Sequence, residues 1–360
     1  MTATFHAPGR ANLIGEHTDH TDGLVLPAAI DRGVTLTGAL GGDRIALRSD
    51  AVDEVVEVAA DGSEMPRSGF GRFVAAVAAE LHELGRDPIG VSGELSSNLP
   101  QGAGLSSSAA LEVVVATALC AAADLEVAPL DLAALCRRAE HRAVGVPSGI
   151  MDQAACVLGQ ADHAVLLDCG TLEHEVVPMP AGHALLIMDT GVRRQLESSG
   201  YGQRAAELQA ALPVLGGRRP ADVDVDELPE LLATVDAVPA RRLRHVVTEN
   251  LRVRETVAAF EADDRPRIGA LFAAGHASLR DDYEVSVPEL DAMVELAVDA
   301  GATAARMTGG GFGGAAIALV VEDRADDVAA LVGGRYRERF PERNPALYRC
   351  VAAAGAGRVG

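Results

Sequence analysis

The sequence predicts two lobes that each mix helix and strand, and three observations carry that expectation. The chain has 360 residues, beyond the length at which one hydrophobic core keeps growing. Its first third alternates short β-like runs with Gly-rich turns, while its second half offers long helical patterns that end in a glycine loop and an apolar strand. Hydrophobic residues make up 48% and charged residues 23%, the balance of a chain that can bury a core.

Taken in order, RANLIGEHTD and GLVLPAAI flank a polar loop, and VTLTGAL, RIALRS and VVEVAA alternate as sheet strands do. A helix is expected over Gly71 to Leu84, then a strand, VSGELSSNL, that leads into the loop PQGAGLSSSAA. Leu111 to Ala123 is apolar almost all round, which describes a buried helix. Further helices are expected over Leu130 to Val144 and from PSGIMDQAACVLG, and strands at HAVLLDC and HALLIMD. Between Pro213 and Pro229 a stretch rich in Pro, Gly and Asp suits an exposed loop or insertion. RHVVTENLRVRETVAAF and PELDAMVELAVDA are helical patterns, and MTGGGFGGAAIALVV runs from a glycine loop into a strand. A lobe boundary falls near residues 175 to 190, giving lobes over 1–180 and 181–360.

Composition removes several function classes. The net charge of -21 argues against a nucleic-acid partner, which needs a basic face, and against a basic membrane-surface helix. All 31 basic residues are Arg. A P-loop and a protein kinase each need a Lys on the phosphates, so neither design fits. Without Trp, and with 3% aromatic residues, base-stacking platforms are not expected. The 5 Cys show no CxxC pair or metal spacing, which reads as free thiols in a reducing compartment. The N-terminus lacks the apolar core of a signal peptide, and the longest apolar stretch, Val113 to Ala123, is far short of the ~20 residues that span a bilayer. A cytoplasmic protein is expected, with no membrane and no nucleic-acid partner.

The loop from Pro100 to Glu112 is the most informative segment. Gly102, Ala103 and Gly104 permit close backbone approach to a ligand, and three consecutive Ser precede a helix. Amides at a helix N-terminus form an anion site, so phosphates can be held without Lys. A Ser N-cap after a flexible loop is the commoner reason for Ser there. GEHTDHTDG gathers Glu16, His17, Asp19 and Asp22 in a turn-rich stretch; such carboxylates and imidazoles suit sugar hydroxyls, and equally an Asx-rich surface turn. GGGFGG lacks the spacing of a dinucleotide fingerprint and is followed by a strand, so it reads as tight backbone packing beside the site.

These segments carry a resemblance. PQGAGLSSSAALE resembles the phosphate-binding motif of the GHMP small-molecule kinases, and MTGGGFGGAAIAL is similar to that superfamily's third motif. APGRANLIGEHTDHTDGLVLP, from Ala7 to Pro27, resembles the galactokinase signature, and VPSGIMDQ and HASLRDDYEVS look like galactokinase segments. The resemblance covers nearly the whole chain. It implies an α+β fold of two lobes, with a left-handed βαβ crossover in the first, a ferredoxin-like second lobe and the active site between them.

For function, the resemblance implies transfer of the γ-phosphoryl group of ATP to the C1 hydroxyl of galactose with Mg2+, the first step of galactose catabolism, by a monomer. It places Asp152 and Arg10 as the catalytic pair, Asp152 facing the C1 hydroxyl. Arg beside a carboxylate keeps it an acceptor and can stabilise charge on the moving phosphoryl group. It puts Glu16, His17, Thr18, Asp19, Gly149 and Tyr201 on galactose. ATP falls to Gly102, Ala103, Gly104, Leu105, Ser106, Ser107 and Ser108, and Mg2+ to Ser108 and Glu140. Phe70 stands where many members carry Trp, and His20 replaces a common Tyr. A kinase of a related sugar (N-acetylgalactosamine, arabinose or galacturonate) and a non-catalytic galactose sensor are the alternatives, although the Ser-rich loop that sensors lose is intact.

Overall fold

The computed structural model describes residues 2–100, 102–145, 148–193 and 200–359. Gln101 of the Ser-rich loop, Val146 and Pro147 of VPSGIMDQ, and 197–199 of ESSGYGQR lie outside the described residues.

The first lobe is built on a six-stranded sheet. Its strands are β1 (Thr2–Asn12), β3 (Pro27–Leu40), β4 (Arg44–Ser49), β5 (Glu54–Ala59) and β6 (Val91–Ser97), with β13 (Gly357–Arg358) at one edge, in the order β13-β1-β3-β6-β4-β5. β4 and β6 pair in parallel, Ala46 opposite Ser92, so the chain between them crosses over through β5 and α1 (Gly71–Glu83). A small sheet, β2 (Leu24–Val25), β7 (His163–Asp168) and β8 (His174–Pro178), sits beside it. α2 (Ser107–Ala122), α3 (Pro129–Val144) and α4 (Met151–Leu158) complete the lobe. α2 is buried on most sides, as its near-continuous apolar run requires, with Val113, Val114, Ala116 and Leu119 all inaccessible.

The second lobe carries a four-stranded antiparallel sheet of β9 (His183–Asp189), β10 (Ala304–Met307), β11 (Ala315–Val321) and β12 (Ala346–Cys350), in the order β10-β11-β9-β12. Numbered from β9, that is 4-1-3-2 with every neighbour antiparallel, which is the ferredoxin-like arrangement. Its helices are α5 (Gly200–Ala211), α6 (Leu228–Leu232), α7 (Ala237–Glu261), α8 (Arg265–Asp281), α9 (Pro288–Asp299) and α10 (Ala325–Arg339).

Between His183 and Asp189, β9 is apolar at every position, Ala184 to Met188, because it is covered on both faces. Ala184, Leu186 and Met188 pack with α7, α9 and α10, while Leu185 and Ile187 join the core that runs into the first lobe. Two sequence expectations change here. Residues 181–360 do not all stay in the second lobe, because β13 returns to pair with β1, Phe5 opposite Arg358. Residues 213–229 are not a free loop. They form 3-10 turns at Leu212–Leu215, Pro220–Asp222 and Val225–Glu227, and bury Leu215, Ala221, Val223 and Leu228. Arg219 ties the segment to the first lobe through Asp168 at 2.7 Å, and those apolar anchors stand too far apart in sequence to show a period.

Candidate active site

The Ser-rich loop turns through left-handed backbone at Gly102 and Gly104, φ 75° and 73°, and again at Ser106, φ 59°. For a non-Gly residue that conformation costs about 1 kcal/mol or more. Ser106 occupies the N-cap position of α2 yet makes no capping bond. Its hydroxyl instead donates to Asp152 Oδ2 at 2.6 Å. Among the described residues the first-turn amides of α2 therefore have no side-chain cap, which leaves a helix N-terminus able to accept an anion. Gly102 and Ser107 are exposed and Ser108 half-buried, while the side chains of Ala103 and Leu105 are packed inward, so that only their backbone can serve a nucleotide.

Asp152 enters on the first turn of α4 and is about one-third exposed. Arg10 grips its Oδ1 from β1 through Nε at 2.9 Å and Nη2 at 2.7 Å. The same guanidinium donates from Nη1 to the Gly104 carbonyl at 2.6 Å. One Arg thus registers a carboxylate against the glycine loop, although the two residues are 142 positions apart.

Next along α4, Gln153 is fully buried and donates from Nε2 to Glu112 at 3.0 Å and to Glu140 at 3.1 Å. Glu140 also accepts from Ser108 Oγ at 2.9 Å and from Ser148 Oγ at 2.8 Å. Ser108 and Glu140 present a hydroxyl and a carboxylate to one place, the hard oxygen donors that Mg2+ takes alongside phosphate and water. Glu112 is inaccessible to solvent, and its carboxyl is pushed up to about 9, first by burial and then by the nearby Glu140 charge.

The polar loop after β1 forms a second group. Thr18 is fully buried, and its hydroxyl donates to the Gly15 and Leu24 carbonyls at 2.8 and 2.7 Å. Both bonds hold the loop closed. Asp19 is mostly buried, beside His20 Nδ1 at 3.4 Å. Gly149 lies against the Asp19 carboxylate, leaving no room for a Cβ. His17, at φ 64°, stacks on Tyr283 with ring centroids 4.4 Å apart and faces Tyr201 at 5.5 Å.

Glu16 is the least expected placement. Only 2% of it is exposed, and its Oε2 accepts from Arg306 Nη2 at 2.6 Å. Oε1 makes no hydrogen bond of normal geometry among the described residues, with the Asn12 amide as a polar neighbour of the carboxyl. Burial pushes the Glu16 carboxyl up to about 7, against the opposing pull of Arg306.

Sequence reasoning passed over Gln153, Tyr283, Arg306 and the buried role of Glu112. Signals existed for two of them: Glu112 stands in an otherwise apolar helix, and Arg306 in an apolar strand. The glycine loop Gly309–Gly314 gives close packing, with the Phe312 amide bonded to the Val285 carbonyl at 2.7 Å. Thr308 beside it donates to the Asn12 carbonyl at 2.9 Å and so joins the lobes. A cavity of about 400 Å3 lined by Ala210, Pro213, Val214, Val235 and Pro239 shares no residue with this site.

Comparison with known proteins identifies the family. Residues 72–160 match the GHMP kinases N terminal domain and residues 256–338 the GHMP kinases C terminal family. The fold is shared with a mevalonate kinase from Methanococcus jannaschii at 17% identity, covering 98% of each chain with a TM-score of 0.71. A homoserine kinase from Cytophaga hutchinsonii is 20% identical over 99% of this chain and 97% of its own, with a TM-score of 0.63. A two-lobed fold with an uncapped Ser-rich helix start facing an Arg-held Asp defines a GHMP-type small-molecule kinase.

Residues 2–40 match the galactokinase galactose-binding signature. A Lactococcus lactis galactokinase complexed with galactose is 34% identical, covering 99% of this chain and 95% of that one, with a TM-score of 0.92. The chain belongs to the galactokinase family of the GHMP kinases, and it is a sugar kinase.

Proposed function

We propose that the cleft moves the γ-phosphoryl group of ATP onto the C1 hydroxyl of galactose, giving galactose 1-phosphate and ADP. The observation that carries this reading is the Asp152 carboxylate, gripped by Arg10 at 2.7 Å and by Ser106 at 2.6 Å, at the mouth of the Ser-rich loop. A carboxylate so fixed orients the hydroxyl and accepts its proton as the new P–O bond forms and ADP leaves. Phosphoryl transfer is largely dissociative, so positioning matters more than basicity. Arg10 lies where it can also meet charge on the moving phosphoryl group.

The α2 amides and the loop from Gly102 to Ser108 take the phosphates. Ser108 and Glu140 would hold Mg2+, which supplies charge neutralisation on the phosphate oxygens when bound. Glu16, His17, Thr18, Asp19, Gly149 and Tyr201 surround the sugar, with the Thr18 hydroxyl also holding the loop closed. The protein works as a cytoplasmic monomer, in lobes that divide near residue 180 with the last strand returning to the first.

An assay of ADP release across a sugar panel tests the reading. Galactose should exceed glucose by roughly 10⁴-fold in kcat/KM, because an equatorial C4 hydroxyl leaves a buried charged acceptor unpaired. Asp19→Ala should lower galactose use far more than glucose use. Equal use of both sugars by the unmodified enzyme overturns the substrate, and an unchanged ratio in the variant removes Asp19 as a specificity contact.

A further inference from the structure

The sugar loop is held from behind by the second lobe. His245 Nε2 meets the Glu16 carbonyl at 3.1 Å, and the Gly15 amide donates to Glu249 Oε1 at 3.1 Å. The Leu24 amide donates to Asn250 Oδ1 at 2.7 Å. All three partners lie on α7. At the centre is a buried chain of four charges. Arg252 bonds Glu249 at 2.7 Å, Glu249 bonds Arg306 at 2.6 Å, and Arg306 bonds Glu16 at 2.6 Å. Glu16, Glu249 and Arg306 are inaccessible or nearly so. Burying such charges can cost more than their attraction returns, so the chain is weak evidence for stability and directs attention to what its geometry fixes.

We propose that Arg306 is a positioning residue for the sugar: it fixes one oxygen of Glu16 to the second lobe and so sets the other for a sugar hydroxyl. This rests on the reading of Glu16 as a galactose contact. The groups around the Glu16 carboxyl are Arg306 from β10 and Glu249, Arg252 and His245 from α7. Burial keeps His245 neutral, lowered to about 4. α8 contributes His276, whose Nδ1 accepts from the Met307 amide at 3.3 Å. It also contributes Gly275, where a Cβ would stand 2.5 Å from Arg306 Nη1 and 3.1 Å from Cζ. A methyl there moves the guanidinium without removing any charge.

The experiment measures kcat and KM for galactose and for ATP across pH 5.5–8.5 in Gly275→Ala, Arg306→Lys, Glu249→Gln and Glu16→Gln. Gly275→Ala should raise the galactose KM about tenfold or more with the ATP KM unchanged, since a shift near 1 Å at a positioned group can cost up to about 100-fold. The acidic limb of galactose kcat/KM should move to higher pH in Arg306→Lys, which loosens the cation, and to lower pH in Glu249→Gln, which removes a competing anion. A structural role alone gives no such opposite shifts. The inference is overturned if Gly275→Ala keeps the wild-type galactose KM, or if the limb moves the same way or not at all in the charge variants. Should Arg306→Lys fail to fold, Gly275→Ala and the Glu249→Gln shift decide the matter. An unchanged galactose KM and pH limb in Glu16→Gln would locate the error in the reading of Glu16 itself.

Discussion

Replacing Gly149 by Ala removes no functional group, yet it should disable the sugar site. A Cβ at this position would lie 2.6 Å from Asp19 Cγ and 2.9 Å from Asp19 Cβ, with Oδ2 nearer still. Carbon atoms rest about 3.5–4.0 Å apart, so the carboxylate must retreat by roughly 1 Å or more. It has little freedom to do so, being 14% exposed with His20 alongside. With Asp19 as the proposed sugar contact, the displacement breaks one charge-assisted bond, worth about 1.5–3 kcal/mol. Expected, then, is a fall of roughly 10- to 150-fold in kcat/KM for galactose, with the ATP KM unchanged. In an Asp19→Ala background the same Gly149→Ala change should do almost nothing. Wild-type efficiency in the single variant, or full additivity in the double one, would refute the argument that Gly149 acts by making room for Asp19.

Asp152→Ala should abolish phosphoryl transfer while ATP affinity, measured by equilibrium binding, stays within about threefold, because the nucleotide is assigned to the Ser-rich loop; near-normal turnover would remove Asp152 from the mechanism. Ser108→Ala and Glu140→Ala should each raise the Mg2+ concentration for half-maximal rate, and should weaken binding of Mn2+ read by its paramagnetic signal in the presence of ATP; both unchanged would mean that the metal is held elsewhere. Glu112 offers a stability test. Its folded carboxyl keeps a proton from the ordinary value of 4.5 up to about 9, whereas the unfolded chain releases it. The stability this gives is complete below the unfolded value and is lost as pH rises, at up to about 1.4 kcal/mol per pH unit. Glu112→Gln, which keeps an acceptor for Gln153, should therefore show a smaller drop in Tm between pH 6 and pH 9, and identical slopes would disprove the buried proton.

What the sequence determined by itself was local and periodic. The apolar run of α2, the alternation of β4 and β5, the doubly buried β9 and the Gly-Ser loop at a helix start all follow from spacing that neighbours in the chain enforce. Arg10, Asp152, Ser108 and Glu140 were singled out by the family resemblance and not by their local chemistry, and the fold brings each pair within bonding distance. Tertiary structure alone decided the rest. Glu16 and Thr18 occupy a polar, turn-rich stretch that reads as exposed, and become buried only because α7 and β10 close over it. Arg306 and Glu16 lie 290 positions apart; neither residue's local pattern records the other. The same holds for residues 213–229, whose composition describes a loop while Arg219 and a few separated apolar side chains pin it down. A buried charge is tolerated where a distant partner neutralises it, so its presence is a property of the packed molecule and not of any segment.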